Sequence, residues 1–209
     1  METLDLGRRI ELLSMDPHFH DISIAVYRTD DSDGASYLLH SYSKREGAGD
    51  RLAFLAAVMQ ATGGMQSSGA NPLALRFACG HAHEAALKRL FVESCKVAPG
   101  TEPARRALEV LDKKNDLTIR AKGLGDGRYR CSGDRDGARE QRRVAALAAG
   151  LGKLAQLEVQ GDEVRFPCGT DHHELVGLLM LRALNVRGAL REQEAAASRG
   201  VLSAPSQQR

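Results

Sequence analysis

The chain has 209 residues, of which 43% are hydrophobic, enough to build a sizeable core and too many for wholesale disorder. A net charge of +2 and a pI near 8.4 imply neither a strongly basic stripe nor an acidic partner. Aromatic residues reach only 4% and Trp is absent, which disfavours a base-stacking nucleic-acid surface and leaves Ala, Leu and Val to fill the interior.

In chain order, the apolar spacing over residues 6–15 predicts a helix. Residues 21–28 alternate Ile22, Ile24 and Val26 with polar or small neighbours and read as a strand. The run Asp30-Asp31-Ser32-Asp33-Gly34 is a turn, and a second strand over 36–42 closes a hairpin. A helix follows over 48–62, with Asp50 where a negative charge favours the dipole and Gly63-Gly64 as its stop. A third strand over 73–78 leads through Cys79-Gly80 into a last helix over 83–93. The same order then recurs. Pro103 opens a helix over 103–113, a strand starts at Asp116, and Gly123-Leu124-Gly125-Asp126-Gly127 makes the turn. A strand over 128–132, a helix over 139–155, a strand over 163–167 and a helix over 172–190 complete it.

Laying the chain on itself explains the recurrence. Arg76-Phe77-Ala78-Cys79-Gly80 matches Arg165-Phe166-Pro167-Cys168-Gly169 at an offset of 89, which also carries His83 onto His172. Residues 51–57 match 143–149 at 92, with Tyr37 on Tyr129, and 21–24 match 116–119 at 95. The offset changes only where loops are expected. The expected fold is therefore α+β, a tandem duplication of an αββαβα unit, each a two-layer sandwich of sheet and helices. The copies span 3–97 and 101–196, related by a pseudo-twofold axis, and a polar, flexible C-terminal tail occupies 197–209. This order of elements resembles the type II KH-like topology, including the BolA-like proteins. The Gly-x-x-Gly loop of RNA-binding KH domains has no counterpart at the matching place.

The motif Cys-x-x-x-His occurs twice, as Cys79 with His83 and Cys168 with His172. Each Cys is expected at a strand exit and each His one turn into a helix, where residues four apart share a face. Two such pairs across a pseudo-twofold supply two thiolates and two imidazoles, the ligand set of a closed tetrahedral zinc site. His81, Asp171 and His173 add donors nearby. Packing is the simpler alternative: free Cys is among the most buried residue types, and Gly80 and Gly169 then serve only the turn. A thiol- or zinc-dependent enzyme is a further alternative.

Other candidates are weaker in pattern. His18 and His20 alternate before the first strand with His40 on its neighbour, which suits metal ligation or an ordinary polar loop. Arg76 and Arg165 sit at matching strand positions beside a helix start, and Arg51 and Arg143 lie in first helical turns. All four are candidates for binding an anionic ligand, or for pairing with carboxylates. No P-loop, dinucleotide fingerprint or nucleophile elbow is present.

No apolar run reaches the roughly 18–20 residues that span a membrane, and the opening residues lack a signal-peptide pattern, so a cytoplasmic location is expected. Four cysteines in a chain of this length then read as thiols, buried or ligating. The functional expectation is a ligand- or partner-binding, regulatory module, with a small molecule or a protein as partner and zinc as the candidate cofactor. A nucleic-acid binder of KH-like shape is disfavoured by charge and aromatic content.

Overall fold

The computed structural model describes residues 6–13, 15–18 and 22–186. His20, Asp21, the end of the last predicted helix and the tail over 197–209 lie outside them. The first half runs β1 (Arg8–Leu13), β2 (Ile24–Asp31), β3 (Gly34–Ser41), α1 (Ala48–Gly63), β4 (Met65–Ser68), β5 (Asn71–Phe77) and α2 (Glu84–Cys95). The second runs β6 (Glu109–Asp112), β7 (Leu117–Gly125), β8 (Arg128–Gly133), α3 (Ala138–Ala155), β9 (Glu158–Gln160), β10 (Glu163–Arg165) and α4 (His173–Ala183). The strands form two antiparallel five-stranded sheets, ordered β1-β2-β3-β5-β4 and β6-β7-β8-β10-β9.

The order in each half is βββαββα, which corrects the αββαβα expectation at two points. The opening segment is a strand, not a helix. β1 pairs with β2 through a register shift between Arg9 and Glu11, so Ile10 is buried out of phase. That bulge breaks the two-residue alternation and leaves the apolar residues at helix-like spacing. β6 is four residues long, too short to show a period, and Pro103 precedes it in irregular chain. The second correction is that β5 and β10 each have an added edge partner, β4 and β9, joined through Gly69 and Gly161 at positive φ. Both partners are short and largely exposed, so burial left no pattern in them. The KH-like element order is thus not the one the chain adopts.

The hairpins and long helices form where the residues direct them. α1 ends on Gly64, whose left-handed φ of 64° lets its N–H reach the Gln60 carbonyl. α1 packs on β3, β4 and β5, and α3 on β8, β9 and β10. Helices of the two halves also pack on each other, α1 on α4 and α2 on both α3 and α4. One continuous apolar core results, with Tyr37, Phe77 and Phe91 from one half and Tyr129, Phe166 and Leu147 from the other fully enclosed.

Among the described residues no helix is long and apolar enough to cross a membrane. In α3, a Cβ on Gly150 would lie 2.1 Å from the Ala183 carbonyl oxygen, so the absent side chain lets α4 come close. Alanine is favoured over glycine in a helix by up to about 1 kcal/mol. The backbone clash outweighs that gain, and Gly150→Ala should lose about 1–3 kcal/mol in denaturant melts, whereas a gain would show that α4 moves aside freely.

Candidate metal centre

Each half delivers one Cys and one His through the same construction. β5 ends at Phe77, and Gly80, with φ of +70°, turns the chain so that its N–H donates to the Phe77 carbonyl at 2.9 Å. Gly169, also at +70°, donates to Phe166 at 3.0 Å. Only glycine enters that backbone region without strain. The hairpin turns brace these bends: Ala35 N–H donates to Gly80, and Phe166 N–H to Gly127, both at 2.9 Å. His83 and His172 then occupy the N-caps of α2 and α4. This differs from the expectation of a histidine one turn inside a helix. The Cys lies in the bend before the helix, and the bend, not a helical face, brings sulfur and imidazole together.

Within each pair, Cys79 Sγ lies 3.2 Å from His83 Nε2, and Cys168 Sγ lies 3.3 Å from His172 Nε2. The two pairs meet. All four donor atoms fall within 4.8 Å of one another, although residues 79 and 168 are far apart in sequence. The imidazoles stand edge to face with centroids 4.8 Å apart. Phe77 packs against His83 at 5.2 Å and His172 at 5.7 Å, and Phe166 against the same rings at 5.6 and 4.6 Å. The phenyl rings wall the imidazoles from water, leaving them 8% and 5% exposed, while the two thiols stay partly accessible.

Two buried tyrosines hold the Cys- and His-bearing bends to their sheets. The Tyr37 hydroxyl on β3 accepts the His83 backbone N–H at 3.2 Å, and Tyr129 on β8 accepts that of His172 at 2.6 Å. Sequence matching pairs these tyrosines but assigns them no role. The pairing was the signal that could have found them. Burial lowers both imidazoles to about 4, with His81 adding to the effect on His83 and His83 to that on His172. Both rings are therefore neutral at neutral pH, with a lone pair to offer. Burial also pushes the Cys79 thiol up to about 11, opposed by the His81 backbone N–H and reinforced by Cys168. Thr170 N–H points at Cys168 Sγ at 3.4 Å.

The remaining candidates lie elsewhere. His81 Nδ1 sits 3.0 Å from the Cys79 carbonyl, Asp171 accepts the Gly127 N–H at 3.0 Å, and His173 packs edge-on against Tyr129. His18 Nε2 lies 3.2 Å from the Lys96 carbonyl, and His40 meets Tyr27 and Tyr42 edge-on. Among the described residues, none of these enters a metal-ligand cluster. The arginines all face carboxylates of the chain. Arg51 is fully buried against Asp16 at 3.1 Å and donates to the Cys95 and Val97 carbonyls. Arg143 pairs with Asp112 at 2.6 Å, Arg76 with Asp33 at 3.6 Å and Arg165 with Glu158 at 3.9 Å. A cavity of about 210 Å³ adjoins the four-residue cluster, lined by His81, Ala82, His83, Gln156, Pro167 and Cys168 among others.

No protein-family model, curated protein or solved structure matches this chain.

Removing the acceptor in Tyr37→Phe or Tyr129→Phe leaves a buried backbone N–H without that partner, which costs about 1–3 kcal/mol. Urea unfolding of each variant should show that loss at an unchanged slope, and wild-type stability in both would mean that the hydroxyls do not anchor the bends.

Proposed function

We propose that this chain is a zinc-stapled binding or regulatory module, built from two copies of one unit over 3–97 and 101–196. Each copy supplies half of a Cys₂His₂ site. The observation that carries the reading is the convergence of Cys79, His83, Cys168 and His172 within 4.8 Å. Zinc bonds sulfur at about 2.3 Å and imidazole nitrogen at about 2.0–2.1 Å, which sets tetrahedral donors roughly 3.3–3.8 Å apart. The Cys–His separations of 3.2 and 3.3 Å already approach this, and a small inward movement of the two pairs completes it. Thiolate and imidazole donors suit zinc and exclude the oxygen-seeking magnesium and calcium.

Packing alone asks only that a buried thiol and imidazole satisfy each other, which each pair does by itself. It does not require both pairs to face one point. Four protein ligands also fill a tetrahedral shell, which favours a structural ion over an activated water and a binding module over a hydrolase. The matching origin of the two ligand pairs, down to the Phe, Gly and Tyr that position each, supports descent from one duplicated unit.

Protein purified without chelator, or reconstituted with zinc, should carry one zinc per chain by elemental analysis, and EDTA should lower its melting temperature. Cys79→Ser with Cys168→Ser should abolish the zinc. A zinc content below about 0.1 per chain after reconstitution would sink the reading. Binding must also expel thiol protons, since the Cys79 thiol, held up to about 11 by burial, is protonated at neutral pH without metal. Apparent zinc affinity should therefore rise with pH, by about one decade per unit between pH 6 and 8 for the Cys79 proton. A pH-independent affinity in competition titrations would contradict thiolate ligation.

A further inference from the structure

The four cysteines divide sharply by environment. Cys95 and Cys131 are 2% and 0% exposed, and burial pushes both thiols up to about 12. Cys79 and Cys168 are the two with solvent access, and their sulfurs belong to one cluster no wider than 4.8 Å. Cys168 also lines the cavity of about 210 Å³, which is large enough to admit a small oxidant. Both sulfurs sit in bends between a strand and a helix, not within either element.

From this arrangement we infer that Cys79 and Cys168 form the redox-active pair of the site, closing to a disulfide when a peroxide oxidises them and releasing the zinc. The inference rests on the zinc reading for its metal and on the geometry alone for its disulfide. One thiolate sulfur attacks a peroxide oxygen. The O–O bond breaks, a sulfenic acid forms, and hydroxide leaves to take up a proton as water. The second thiolate attacks the sulfenic sulfur, the S–O bond breaks, and a second hydroxide leaves and is protonated. Two electrons pass from the sulfur pair to the peroxide, one S–S bond forms, and two waters result. With both sulfurs consumed, His83 and His172 alone cannot hold the ion, so the oxidised chain lacks a closed site. A thiol reductant reverses the step by restoring both sulfurs.

The zinc-loaded full chain, its metal content first measured, is treated with hydrogen peroxide beside a chromophoric zinc indicator. Non-reducing peptide mapping follows, after alkylation of the remaining thiols in denaturant. The expected result is release approaching one zinc per chain together with a peptide joining Cys79 to Cys168, with Cys95 and Cys131 recovered alkylated. Dithiothreitol and added zinc should restore the original metal content. Zinc retained through complete peroxide treatment, release with only sulfinic or sulfonic acids, or cross-links through Cys95 or Cys131 each overturn the inference. A chain that takes up no zinc at loading sinks the metal reading and the release step. Peptide mapping of that same chain still decides the disulfide: the 79–168 peptide upholds the pair, and its absence overturns it.

Discussion

Two bends of the chain, each carrying a partly accessible thiol and a buried imidazole, are brought to one point at the edge of the apolar core, and much of the structure serves that meeting. Polar groups removed from water are tolerable only when they satisfy one another. Here each sulfur faces a ring nitrogen of its own half, and the two rings meet edge to face beside Phe77 and Phe166. The aromatic walls lower the local polarity, which keeps the imidazoles neutral and the Cys79 thiol protonated until something replaces the protons. A divalent cation would fit that arrangement, because it could neutralise two thiolates at once and has ligand positions for both imidazoles.

The parts that hold the bends are shared between backbone and side chain. The left-handed glycines after each Cys let the chain fold back within three residues. The hairpin turns press on those bends so closely that a Cβ on Gly34 would lie 2.2 Å from the Gly80 carbonyl. Tyrosine hydroxyls from the neighbouring strands take the N–H of each histidine, so α2 and α4 begin at fixed places. Strand, turn and helix thus reach each ligand pair from three directions, and little freedom remains for the donors.

The halves agree at the site and diverge away from it. Arg51 is buried with Asp16 and fastens the segment before β2 to α1 and to the carbonyls at the end of α2. A guanidinium removed from water is sustained there because carboxylate and carbonyl oxygens together use its donors. Its counterpart Arg143 is partly exposed and meets Asp112 at the end of β6. The outer faces differ as well. The first sheet carries Tyr27 and His40, in contact with Tyr42 just past β3, while the second carries Arg120, Lys122, Arg128 and Arg130 beside Glu109 and Glu163.

Sequence alone determined what depends on neighbours along the chain. The two long helices, the hairpins at Asp31–Gly34 and Gly125–Arg128, and the glycines of both bends were legible because propensity and turn chemistry act locally. The recurrence of the Cys and His motifs was legible too, and it singled out Cys79, His83, Cys168 and His172 from a crowd of donors. Tertiary structure decided the rest. β1 is a strand because β2 offers an edge, and the bulge at Arg9–Glu11 disguised it as a helix. β4 and β9 exist only as partners of β5 and β10, too short and too exposed to leave a hydrophobic period. The carboxylate that meets Arg51 lies 35 residues away in a loop, beyond any local pattern. Above all, periodicity can place a thiol and an imidazole near each other within one bend. It carries no information on whether two bends from opposite halves face the same few ångströms of space. That depends on how the helices of the two halves pack.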